Sequence, residues 1–111
     1  MIVKPIIIYT TTGLKSDAKS IANHLIKNKL AACVNIISNI ESVYEWQSDI
    51  QYESEHLLMI KTTENQVDQI NKFFTSNHPY DLAELITVDI TGGSAAYLQW
   101  IKDSLTPRIN E

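Results

Sequence analysis

The sequence predicts an α+β domain: two helices on one face of a four-stranded antiparallel sheet, a long hairpin between the second and third strands, and an extra C-terminal helix. Three observations predict it. The hydrophobic period switches along the chain in the order strand, helix, strand, strand, helix, strand, helix. Gly, Pro and turn residues fall between these patterned segments, and no repeat or low-complexity linker interrupts them. Finally, 111 residues supply one hydrophobic core but not two.

The elements follow in order. Ile6-Ile7-Ile8-Tyr9-Thr10 is a short continuous apolar run, as in a central strand of a sheet. Ala18, Ile21, Ala22, Leu25 and Ile26 recur as one helical stripe, with Lys15, Asp17, Lys19, Asn23 and Lys27 opposite. From Leu30 to Trp46 the period drops to two. Ala32, Val34, Ile36, Tyr44 and Trp46 share one parity, and Cys33, Asn35, Ile37, Glu41 and Val43 share the other. Gln47-Ser48-Asp49 reads as a turn, and Tyr52 to Lys61 alternates again, completing a hairpin.

Thr63-Glu64-Asn65-Gln66 has the spacing of a capping box, and Val67, Ile70 and Phe74 make the stripe of the helix it would start. That helix must stop before Pro79, since a residue preceding proline is pushed out of the helical region. Ile86, Val88 and Ile90 alternate as the fourth strand, and Gly92-Gly93 break it. Ser94 caps a last helix carrying Tyr97, Leu98, Ile101 and Leu105, which Pro107 ends. With right-handed crossovers, this βαββαβ order folds as a ferredoxin-like sandwich.

The hairpin exceeds that template. Strands usually run ~5–6 residues, and these two can each run about twice as far. Two helices cannot cover such a length, so the tip would be a bare ribbon carrying Tyr44, Trp46 and Tyr52. Leaving three large aromatics in water forfeits ~25 cal/mol per Å² of apolar surface. Burial against further copies of the chain removes that cost, so the ribbon predicts a homo-oligomer with Tyr44, Trp46 and Tyr52 at its interface.

Composition narrows the function. Nine Lys and Arg against thirteen Asp and Glu give a formal charge of −4. A nucleic-acid binder needs a basic face, so no nucleic-acid partner is expected. The acidity suits cations. The single Cys33 excludes an intramolecular disulfide and an all-cysteine zinc site within one chain. No segment reaches the ~18 apolar residues of a membrane span. The start, Met1-Ile2-Val3-Lys4-Pro5, lacks a signal-peptide pattern, and cytoplasmic residence is the expectation.

Five segments then carry a family resemblance: Leu30-Ala31-Ala32-Cys33-Val34, Ser42-Val43-Tyr44-Glu45-Trp46, Lys61-Thr62-Thr63, His78-Pro79-Tyr80 and Tyr97-Leu98-Gln99-Trp100. In this order and spacing the chain resembles the CutA family of divalent-cation tolerance proteins, from about Ile6 to Trp100. The resemblance implies a ferredoxin-like protomer in a cyclic homotrimer whose ribbons pack between subunits. It also implies a cytosolic role in tolerance to copper and other divalent metal ions, with no enzymatic activity and no obligatory cofactor. In copper-binding relatives the metal is associated with the end of the first strand and a His-His pair. Here those positions are Thr10 and Asn77-His78, and the usual Pro-Glu that follows is Ala83-Glu84.

His78 is accordingly the candidate metal ligand, with a plain helix-terminal histidine as the alternative. Lys61, Glu84, Tyr80 and Trp100, with Tyr44 and Trp46, are the residues the family would place around clefts between subunits. A lysine, a carboxylate and aromatic walls there would hold a small anion or a metal complex, or form an interface ion pair with no ligand. Cys33 reads as a buried packing residue. His24 and His56 read as solvated or ordinary sheet positions, and Gln51, Glu53 and Glu55 as one strand face rich in carboxylates. No nucleophile with an adjacent base and no phosphate-cradling glycine loop is visible. The function expected is metal binding and response to metal ions. A trimeric small-molecule sensor resembling the PII family, taking an anion or nucleotide in the inter-subunit cleft, is the second reading, and a purely structural oligomer the third.

Overall fold

The computed structural model describes residues 3–105. Its elements are β1 (Pro5–Thr12), α1 (Lys15–Lys27), β2 (Cys33–Trp46), β3 (Asp49–Thr63), a 3-10 turn (Glu64–Gln66), α2 (Val67–Asn77), β4 (Ile86–Asp89) and α3 (Ala95–Asp103). The strands form one antiparallel sheet in the order β2-β3-β1-β4, which is the ferredoxin-like arrangement the period changes called for. Ile6, Ile8, Leu58 and Ile60 point from one face into Ala18, Ile21 and Leu25 of α1 and Ile70 and Phe74 of α2. This dry layer is the core. α3 approaches from the second face, where Ile101 is buried.

Helix ends were less legible than helix stripes. α1 closes with the Leu30 amide donating to the Leu25 carbonyl and the Lys29 amide to that of Ile26, with Lys29 at φ 57°. This is a Schellman close without its usual glycine. The capping box is not formed. Thr63 donates its hydroxyl to the Asn65 side chain and makes no cap bond, and the chain takes a 3-10 turn before α2 begins at Val67. Ser94 does cap α3, accepting from the Tyr97 amide at 3.3 Å. The expected role of Pro107 lies outside the described residues.

The hairpin is as long as its alternation implied: β2 has 14 residues and β3 has 15. The turn is shorter than expected, because Asp49 already pairs with Trp46. Gln47 and Ser48 both have positive φ (51° and 69°), which matches a two-residue loop to the right-handed twist of the strands. The ribbon stretches the molecule to 48 × 29 × 23 Å and its radius of gyration to 15.0 Å. A compact chain near this length has about 13 Å.

One irregularity changes the face assignments. Between Ile37 and Ile40 the register slips, so β2 spends one residue more than β3, and Asn39 sits at φ 60°. This β-bulge inverts the parity of β2 beyond it. Val34 and Ile36 share the helix face with Ile60 and Leu58, whereas Tyr44 and Trp46 lie opposite Gln51 and Asp49 on the second face. The single parity expected for all four is therefore corrected. Tyr52 pairs with Val43 and faces the other way from Tyr44 and Trp46, so the ribbon exposes aromatic surface on both sides.

Candidate functional site

The second face of the sheet, at the root of the ribbon, carries a hollow of about 770 Å³. The bulge creates half of it by turning Tyr44 and Trp46 onto the face of Glu53 and Glu55. The other half is the chain after α2. His78 leaves the helix in an extended conformation, and the segment Pro79–Glu84 crosses the end of β1 to meet the ribbon. The crossing passes close to Gly13, where a Cβ would stand 3.1 Å from the Tyr80 hydroxyl.

Two phenols bridge to two carboxylates in this hollow. Tyr44 donates to Glu53 Oε1 at 2.6 Å, and Tyr80 donates to Glu55 Oε2 at 2.7 Å. Glu55 is only 8% exposed. The hydrogen bond to Glu53 raises the Tyr44 pKa, and burial, then the bond to Glu55, raises that of Tyr80. Both phenols stay protonated and act as donors. Burial, and then the charge of Glu55, raises the Glu84 pKa, so the two carboxylates feel each other.

His78 stands behind this wall. Its Nδ1 accepts the Tyr80 backbone N–H at 3.0 Å, which puts the proton of the neutral ring on Nε2. Nε2 then donates to the buried Thr10 hydroxyl at 3.1 Å. Burial lowers the His78 pKa, against a hydrogen bond to the Thr11 backbone and the field of Asp17. The imidazole is thus neutral, but both nitrogens are engaged in holding β1 to the Tyr80 segment. Among the described residues, no three His, Cys, Asp or Glu side chains converge as metal ligands do.

The expected cleft residues fall into two groups within one chain. Tyr80, Glu84, Tyr44 and Trp46 line the hollow. Lys61 and Trp100 belong elsewhere on the same face. Lys61 donates to the Tyr97 hydroxyl at 3.3 Å and stands 5.5 Å from that ring, which packs 5.4 Å from Trp100. Six residues of strand separate Lys61 from Glu55, or ~20 Å. Cys33 pairs with Lys61 and is partly exposed, not buried as expected, because its parity puts it on the face away from the helices. His24 is half-buried rather than fully solvated, and it stacks on Phe73 with centroids 3.9 Å apart. His56 is partly buried, and its Nδ1 has no hydrogen-bond partner among the described residues. Glu55 is the hollow's most buried acid, and its strand-face grouping with Gln51 and Glu53 holds. Gly13 escaped notice because its role depends on a contact distant in sequence.

Fold and hollow together define a class: a ferredoxin-like domain with a projecting two-stranded ribbon and an acid-and-aromatic recess at its root. Residues 6–104 match the model of the CutA1 divalent ion tolerance protein family, and the chain belongs to that family. It is 45% identical over 102 residues to the chloroplastic protein CutA of Arabidopsis thaliana, covering 92% of this chain and 56% of that one. It is 32% identical to the divalent-cation tolerance protein CutA of Thermus thermophilus, covering 88% and 95%. The crystal structure of CutA1 from Oryza sativa superposes with a TM-score of 0.92 at 42% identity, over 96% of this chain and 97% of that one. The chain spans little more than half the length of the plant relatives. No helix among the described residues is long and apolar enough to cross a membrane.

Proposed function

We propose that this protein is a non-enzymatic homotrimer that binds divalent metal ions, copper among them, and serves tolerance to them in the cytoplasm. The observation that carries the oligomer is the uncovered second face. Ile37, Tyr44, Trp46, Ile86, Val88 and Trp100 are all more than two-fifths exposed, and a lone soluble chain rarely leaves so much apolar surface open. Lys61 and the carboxylates of the hollow lie at opposite ends of that face. A head-to-tail ring of copies sets the lysine of one against the acids of the next, with Trp100, Tyr80 and Glu84 around the joint.

The metal role rests on the family's name and the chain's acidity. His78 takes part as a ligand by exchanging the Tyr80 N–H for the ion at Nδ1, which loosens the segment carrying Glu84. The experiment is calorimetric titration with copper and with zinc. Saturable uptake that weakens in His78→Ala is expected, and a silent titration overturns the metal reading. Within one chain, the described residues lining the recess include acids and no base, which suits cations.

A further inference from the structure

The helix layer carries a charge pattern that neither the fold nor the recess explains. Between residues 14 and 40 stand Lys15, Lys19, Lys27 and Lys29 against Asp17 alone, in a chain whose formal charge is −4. All four lysines are exposed. At ~100° of turn per residue, Lys15, Lys19 and Lys27 fall on the solvent side of α1, and Ile26, 42% exposed, shares their azimuth. Asp17 lies on the flank toward α2, where it lines a small recess with His24, Phe73 and Asn77. On its inner side α1 packs over β2, whose residues 33–40 include no carboxylate. Among the described residues no ion pair neutralises these lysines; the pair that forms is Lys4–Asp89. Helix stability does not account for the stripe either, since Lys15 is the first residue of α1, at the end where the macrodipole disfavours a cation.

We propose that the outer side of α1 is a docking surface for an acidic helical segment of a partner protein. The stripe from Lys15 to Lys27 is ~18 Å long, the length of about three turns of a partner helix. Carboxylates one turn apart on that helix match Lys15 and Lys19, and an apolar residue further along it covers Ile26. At ~0.15 M salt, charges beyond ~8 Å are largely screened, so a segment of this size meets the lysines and not the acidic ribbon. A bilayer is too broad for that. Laid on a molecule 48 Å long, it extends over Glu41, Glu45 and Asp49 of the ribbon as well. This side of α1 points away from the second face on which the proposed ring of copies is built, so the docking surface stands apart from the oligomer and metal readings.

The test is fluorescence anisotropy of a labelled peptide, two repeats of Glu-Leu-Ala-Glu-Glu-Leu-Ala, titrated with the full-length protein in its native oligomer at ~0.15 M salt. The control peptide has Gln in place of every Glu. Saturable binding at least tenfold tighter for the acidic peptide is expected. The double variant Lys15→Gln/Lys19→Gln should lose tenfold or more, and Ile26→Ser less. Lys4→Gln/Lys102→Gln makes the same change of net charge away from α1 and should lose less than twofold. Equal losses from the two double variants, equal binding of the Gln peptide, or no saturable binding overturns the proposal. So does tighter capture of phosphatidylserine vesicles or of oligothymidylate through the same lysines, which assigns the stripe to a membrane or to nucleic acid. The comparison of the two peptides needs no variant, and Lys15, Lys19 and Ile26 are exposed positions at which substitution leaves the core intact.

Discussion

The two halves of the β2–β3 hairpin are made of the same strands yet obey opposite rules. In the inner half, Val34, Ile36, Leu58 and Ile60 lie under α1 and α2, and the last two are fully buried. In the outer half, beyond the bulge, Trp46 is 61% exposed and Tyr52 67%, on opposite faces. The inner half is stabilised by its own chain. The outer half, a two-stranded ribbon, is marginal in water without a partner. One strand pair thus serves as core at one end and exposes aromatic surface, the proposed interface, at the other, with the recess at the boundary.

Substitutions separate the halves. The largest effect is expected from Ile60→Ala, which empties a fully buried site and costs about 2–5 kcal/mol in a denaturant titration while leaving the native mass unchanged. Trp46→Ala acts at the other end. Truncating a large aromatic at an interface costs about 2–4 kcal/mol of association, read as a concentration-dependent fall in mass. If Trp46→Ala instead lowers only the unfolding midpoint, with no change of mass, the division between the halves is wrong. Tyr80→Phe strips the donor from the largely buried Glu55 and costs about 1–2 kcal/mol.

A pH effect follows from the latch behind the recess. The folded His78 pKa lies below its unfolded value, so the unfolded chain binds more protons in that window. Stability falls as pH drops from about 6.5 toward the depressed value. Melting scans of His78→Gln should show a flatter pH dependence there, and an unchanged slope would remove His78 from the latch. Gly13→Ala should do least. Its Cβ asks the Tyr80 hydroxyl to give way by a few tenths of an ångström, offset by the ~0.4–1 kcal/mol gained from a less flexible unfolded chain.

Much of this was legible in the sequence, and the exceptions have physical reasons. Stripes such as Ile21–Leu25 and Ile70–Phe74 mark their helices because burial imposes the period directly. The hairpin length and the aromatic tip followed from alternation. The bulge did not, because an inserted residue at Asn39 looks like any other polar position, and missing it inverted the faces of Tyr44 and Trp46. Lys29 in the left-handed region and the two-residue Gln47-Ser48 turn lack the glycines that signal such sites. The recess was half legible: Glu84 and Tyr80 came from the family resemblance, and Glu53 and Glu55 from strand parity. Their meeting depends on the path of residues 79–84, which no local pattern encodes.

Light scattering on the purified native protein puts the sharpest question to the ribbon. Sheathed by sibling chains, it gives a particle of three times 12.6 kDa that dissociates on dilution only in the Trp46→Ala form. A monodisperse 12.6 kDa species, holding Trp46 and Tyr52 in open solvent, would contradict it.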